Sequence, residues 1–296
     1  MERRKAILLL VLTVVLWSTS GLLVKLLGWH PLAISGTRSA IAAVVIWSAI
    51  RRPRLTGSVP QIGGALAYLA AQSLFVVSTS LTSAANAIFL QYTAPVYVAI
   101  FGAWYLRERA KAVDWWTMGL IFVGMALFFG DDLTTAGYWG NLLAILNGIC
   151  FAWLILFLRK EKDGSPETTA LLGNGLAALV GIPFVATSWQ AGTLPSAQGW
   201  AILLFLGVFQ LGVPYLLYSR AIRGLRAVEA VLIQTLEPIL NPLWVLWVIG
   251  ETPGPWALAG GAVVLGAVTL RGLAAARSGR SRAAEPRAAP IASTVD

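Results

Sequence analysis

The chain has one histidine, one cysteine and only 13 acidic residues among 296. A resident metal needs several imidazole, thiolate or carboxylate ligands at fixed spacing, and the sequence offers no such cluster and no catalytic constellation. With Cys150 alone, no intrachain disulfide can form and the redox compartment is left unspecified. The glycine-rich fingerprints that cradle phosphates or dinucleotides are missing, so neither a nucleotide-driven motor nor any cofactor is indicated. Charge is scarce too. Charged residues make up 12% against 57% hydrophobic, with a mean hydropathy of +0.74. That balance lies outside the range of an ordinary soluble domain.

The charge that is present follows a rule. Twenty of the 22 Lys and Arg residues lie in alternate gaps between apolar stretches or in the C-terminal tail. The basic gaps hold Arg3–Lys5, Arg51–Arg54, Arg107–Lys111, Arg159–Lys162 and Arg220–Arg226. The intervening gaps carry His30, Asp131, Asp132 and Glu251, or no charge. Short Lys/Arg-rich loops resist translocation, so the basic side is cytoplasmic. Both termini then face the cytoplasm and the number of spans is even. The net charge of +9 follows from this alternation rather than from nucleic-acid binding.

A bilayer core of about 30 Å needs roughly 20 residues of helix. Ten stretches fit: Ala6–Leu27, Leu32–Ile50, Gln61–Ser80, Ala84–Leu106, Val113–Gly130, Tyr138–Leu158, Glu167–Ser188, Gln198–Ala221, Ala227–Ile249 and Gly254–Gly272. The first is too long for a cleavable leader and reads as a retained span. Residues 273–296, rich in Ala, Arg, Pro and Ser, read as a disordered cytoplasmic tail. The protein is expected in the cell (inner) membrane.

The fourth and ninth stretches match at an offset of 143, pairing Ala84 with Ala227, Gln91 with Gln234, Pro95 with Pro238 and Glu108 with Glu251. The first and sixth match at an offset of 134, with Lys25 over Arg159. Each half therefore holds five helices, and an odd count inverts the second copy. The expected fold is all-α, with ten transmembrane helices in two inverted five-helix repeats, residues 1–130 and 131–272, around a central cavity. Inverted repeats are a mark of transporters that expose one site alternately to each face.

Gln91-x-x-x-Pro95 ending in Arg107-Glu108, Glu237-Pro238 ending in Glu251, and the Leu16-Trp17-Ser18-Thr19 run with Lys25 resemble the EamA-type exporters of the drug/metabolite transporter superfamily. The resemblance covers Ala6 to Gly272. It implies export of small metabolites. The Trp17-Ser18-Thr19 run and the aromatic interior are also similar to the aromatic amino-acid exporter branch.

The residues expected to carry substrate are Trp17, Ser18, Gln91, Gln234 and Glu237, with Pro95 and Pro238 as hinges. Proline in mid-membrane frees carbonyls that lipid cannot satisfy, and this matched pair lies at corresponding depths. Trp17 falls about 17 Å along its helix, where lipid offers its indole N–H no partner. Glu237, near mid-membrane, costs several kcal/mol unless it is neutral, paired or facing water. It reads either as a partner for the buried Arg38 or as a handler of protons or of a substrate amine. Gln91 and Gln234 either tie helices together or line the cavity. Lys25 is close enough to a helix end to reach the interface. Most tryptophans, Trp29, Trp104 and Trp256 among them, read as interfacial belts. The expected partners are the lipid bilayer, a small-molecule substrate and a proton, with monomer and homodimer both open. The expected function is that of a secondary transporter or facilitator exporting small metabolites, amino acids including aromatic ones foremost, by alternating access. Cationic-drug efflux and an intramembrane enzyme acting on lipid-linked substrates stand as alternatives.

Overall fold

A computed structural model describes residues 3–19, 23, 27–82, 84–130, 137–240 and 254–283. The regular structure among the described residues is all helical: α1 (Arg3–Trp17), α2 (Pro31–Ile50), α3 (Val59–Leu81), α4 (Ala84–Gln91), α5 (Ala94–Tyr105), α6 (Ala112–Phe128), α7 (Tyr138–Lys160) and α8 (Pro166–Gln190). There follow α9 (Ala197–Phe205), a π-helical segment (Leu206–Gly212), α10 (Val213–Ala221), α11 (Ala227–Gln234) and α12 (Pro255–Ala283). Proline in the first turn starts α2, α3 and α8, where its missing N–H costs nothing. The Ser58 hydroxyl caps α3 by accepting from Gln61 N–H at 3.2 Å.

Among the described residues, six helical stretches are long and apolar enough to cross a membrane. Of the other four expected spans, the third and fifth are described throughout their helices and fall short, while the first and ninth are described only in part. The α1 helix ends at Trp17, α6 has 17 residues, and α3 carries Gln61, Gln72 and Ser78. The ninth is described only to residue 240. In the first stretch a turn at 18–19 follows α1, Leu23 is helical, and residues 20–22 and 24–26 lie outside the described residues. The Ser18 and Thr19 hydroxyls turn back onto the Val15 and Leu16 carbonyls, bonding that competes with helix continuation. At the other end, helix runs past Gly272 to Ala283, through an Ala/Arg-rich sequence of high helix propensity. Residues 284–296, Lys25, Asp131, Asp132 and Glu251 lie outside the described residues.

Two helices break at equivalent places. A turn at 92–93 separates α4 from α5, and a turn at 235–236 separates α11 from a helical segment at 237–240. The breaks stand 143 residues apart, the offset of the sequence repeat, and Pro95 and Pro238 each lie just beyond one. A third irregularity has another form. Pro214 follows the π-helical segment, whose wider turn absorbs the carbonyl a proline leaves unbonded.

In packing, α2 lies against α8, α3 against α7 and α8, α6 against α12, α5 against α11, and α1 against α10. The closest approaches use glycine on both sides. A Cβ on Gly36 would stand 2.5 Å from the Gly181 Cα, and a Cβ on Gly260 would strike the Gly124 carbonyl. Gly119 and Gly266 meet nothing.

The basic gaps converge on one end of the bundle. Arg3 bonds Glu229, Arg159 bonds Glu108, Arg223 bonds Glu167, and Arg271 bonds both Asp114 and Glu229. The tryptophans assigned to interfacial belts are exposed, with one exception. Trp29 is buried and packs beside Trp200 at 6.3 Å.

Candidate functional site

The α1, α7, α10 and α11 helices bring an aromatic cluster together in the interior. Trp17 is buried, with its ring 5.4 Å from Tyr215 and 5.6 Å from Tyr218. Tyr68 of α3 meets Tyr215 edge-on at 5.0 Å. Phe151, Leu154, Ile155 and Leu158 of α7 form the opposite wall, and Gln234 closes one end. The space between these residues leaves no room for a water molecule. At this place the Trp17, Tyr215 and Tyr218 rings pack against one another and leave no open space between them.

The polar atoms here are poorly served. Gln234 is fully buried, and neither its Oε1 nor its Nε2 has a hydrogen-bond partner among the described residues. The Tyr218 hydroxyl beside it is also unpartnered; the two are near enough to interact but outside hydrogen-bond geometry. Leaving such a group unmade costs about 1–3 kcal/mol. Packing by itself gives no reason to keep an amide in this place.

Glu237 follows the second helix break. It accepts from the Tyr92 hydroxyl at 3.0 Å, and the same hydroxyl lies 3.3 Å from the Gln234 carbonyl. The anticipated pairing of Glu237 with Arg38 is not made. Arg38 instead donates to Gln210 in the π-helical segment at 3.3 Å and to Gln72 at 3.4 Å. Gln72 donates to Tyr68, which donates to Asn174. Arg38 and Glu237 remain within electrostatic reach of each other without touching.

The expected site residues therefore divide. Trp17 and Gln234 both line the cluster, and Glu237 is linked to it through Tyr92, whose hydroxyl also lies near the Gln234 carbonyl. Ser18 is buried next to Trp17 and bonds the Val15 carbonyl. Gln91 is elsewhere: it accepts from Asn147 of α7 at 3.1 Å, tying two helices together. Pro95 and Pro238 are buried at the two breaks. Sequence reasoning missed Tyr68, Tyr92, Tyr215, Tyr218, Gln72 and Gln210. The signal was present for two of them, since Gln210 and Tyr215 flank Pro214, the kink residue of that span.

The Lys/Arg-rich end carries a set of largely buried ion pairs. Arg159 reaches Glu108 at 2.8 Å and the Ile222 carbonyl at 2.8 Å, while the second Glu108 oxygen accepts from Ala227 N–H at 3.0 Å. Nearby, Arg271 bridges Asp114 and Glu229, each at 2.9 Å. Such an arrangement can seal one face of the bundle. No cluster of three or more metal-ligating side chains exists among the described residues.

Comparison with known proteins places this geometry in context. The model of the EamA-like transporter family matches twice, at residues 4–130 and 138–272. An uncharacterized transporter of Archaeoglobus fulgidus is 24% identical over 265 residues, covering 88% of this chain and 94% of its own. The threonine/homoserine exporter RhtA of Escherichia coli K12 is 26% identical over 197 residues, 64% of this chain and 63% of the relative. The transporter YxxF of Bacillus subtilis is 29% identical over 161 residues, 53% of this chain. The chain spans about half of that relative's length, 51%. A solved crystal structure superposes with a TM-score of 0.77 at 18% identity, covering 93% of this chain and all of the other, a likeness of fold alone.

Proposed function

The chain belongs to the EamA-like transporter family, and from that premise we propose that it exports amino acids, aromatic ones among them, by alternating access. It is a multi-pass membrane transporter and not an enzyme. The observation that carries the substrate reading is the closed cluster of Trp17, Tyr215, Tyr218 and Gln234. Its aromatic faces suit an apolar side chain, and its unpartnered amide suits a polar head group. The named relatives that export threonine and homoserine agree with a small zwitterionic substrate.

Two five-helix halves, residues 1–130 and 131–272, run in opposite directions in this reading, with both termini cytoplasmic. Support comes from the double family match, the equivalent breaks at 92–93 and 235–236, and the mutual packing of α2 with α8 and α6 with α12. The breaks, with Pro95 and Pro238, are the hinges. The ion pairs of Glu108 and Asp114 are the cytoplasmic closure. Glu237 couples the cycle to a proton. A cationic-drug substrate fits less well, since Arg38 lies within electrostatic reach of the cluster.

The test is counterflow of labelled L-threonine and L-phenylalanine in proteoliposomes, with and without a proton gradient. Accumulation of label against preloaded unlabelled amino acid is expected. Monodisperse protein that exchanges neither compound would overturn the reading.

A further inference from the structure

We propose that Arg38 is the binding group for the carboxylate of the transported molecule, an inference that rests on the amino-acid reading above. Three arginines in this fold are buried to the same degree: Arg38 at 8% exposure, Arg159 at 9% and Arg271 at 7%. Two of them have the partners a buried guanidinium requires. Arg159 meets Glu108 at 2.8 Å, and Arg271 meets Asp114 and Glu229 at 2.9 Å. Among the described residues Arg38 has none, and no carboxylate there is at ion-pair distance from it. Its contacts there are two neutral amide oxygens at 3.3 and 3.4 Å, and its Nε has no hydrogen-bond partner among the described residues.

Hydrogen bonds from a guanidinium to a carboxylate are usually about 2.7–2.9 Å long and often bidentate. The Arg38 contacts are long, neutral and incomplete. A buried cation left so under-satisfied is costly, and a protein that needed only packing here would do better with an apolar side chain. Glu237 is near enough to act on Arg38 electrostatically yet is held by Tyr92 instead. An anionic head group with an adjacent cation would satisfy both: the carboxylate on the free edge of Arg38, the ammonium toward Glu237. Tyr215, which packs on Trp17 and also lies within electrostatic reach of Arg38, connects this head-group position to the aromatic cluster. Gln210 sits in the π-helical segment, a local form common at functional sites, so a shift there would release one Arg38 contact for substrate.

The experiment uses the full chain in proteoliposomes, with labelled L-threonine in counterflow and two competitors. L-Threoninamide lacks the carboxylate, and 3-hydroxybutyrate lacks the ammonium group. Wild type should take threonine at least about tenfold better than either competitor, the scale of one charge-assisted contact. Arg38→Gln should weaken threonine by about tenfold or more and leave threoninamide unchanged. Gln210→Glu guards against misfolding, because it supplies an internal carboxylate to Arg38. It should melt at or above the wild-type temperature and lose threonine selectively. Parallel loss of threonine and threoninamide, or retained threonine affinity in folded Arg38→Gln, would overturn the proposal. Melting in 3-hydroxybutyrate separates it from the reading it rests on. Arg38-dependent stabilisation without any threonine exchange would remove the amino-acid reading and keep the carboxylate site. Absence of both would remove the site as well.

Discussion

Tyr92 donates to Glu237 at 3.0 Å, and this one bond joins the break in one helix to the break in another. Tyr92 lies within the first turn, and Glu237 opens the helical segment after the second. A charge change at Glu237 therefore acts where both helices are already interrupted. Glu237→Gln preserves an acceptor for Tyr92, so the variant should fold, with stability within about 1 kcal/mol of wild type. Transport should lose its pH dependence while exchange between equal concentrations persists. Unchanged pH dependence would leave Glu237 a structural role.

The pairing of Glu108 with Arg159 makes a second prediction. Removing one partner strands a buried charge, which costs about 3–5 kcal/mol. Glu108→Gln and Arg159→Gln should each lower the melting temperature clearly. Their combination should cost less than the sum of the two, because neither charge is then left alone. If the pair closes the cytoplasmic face, either single variant should also raise labelling of a cysteine introduced beneath it, in a Cys150→Ala background. Additive destabilisation with unchanged labelling would leave the pair a surface ornament of the loops.

Trp17 makes a third. Its ring contacts two tyrosines and is almost fully buried, so Trp17→Ala should cost about 3–5 kcal/mol by opening a cavity. Trp17→Phe keeps a ring against Tyr215 and Tyr218 at smaller loss. If the ring also lines the substrate, Trp17→Phe should change affinity for L-phenylalanine more than for L-threonine, by about fivefold or more. Equal changes for both amino acids would make Trp17 core alone.

Much of this was legible in the sequence. The alternation of Lys and Arg marks one end of the bundle, and the structure gathers Arg3, Arg159, Arg223, Arg226 and Arg271 there in ion pairs. The Gln91/Gln234 and Pro95/Pro238 matches mark the two helix breaks. The individual partners were harder to read. Arg38 and Glu237 are the obvious couple when only depth in the membrane is considered. Depth says nothing of the direction in which a side chain leaves its helix, and here one points to Gln210 and Gln72, the other to Tyr92. Arg271 reads as the start of a basic tail, because its partners Asp114 and Glu229 are 157 and 42 residues away. Tyr215 and Tyr218 look like ordinary packing residues until Trp17 is seen against them. Gln91 and Gln234 are equivalent in sequence but not in surroundings, since only Gln91 meets an asparagine.

Gln234 carries the most direct test of the central claim that the aromatic cluster is the transport site. Its amide is fully buried, with both ends unpartnered among the described residues. Replacing it by an apolar side chain of similar size removes a desolvation cost and breaks no hydrogen bond of that amide seen in the structure. Gln234→Leu should therefore melt at or above the wild-type temperature. If the amide exists to meet substrate, the same variant should lose amino-acid counterflow by at least about tenfold. The decisive measurement is melting temperature and L-threonine counterflow on the same preparation. Raised or equal stability with lost exchange is the predicted result. Full exchange by a stable Gln234→Leu protein would contradict it.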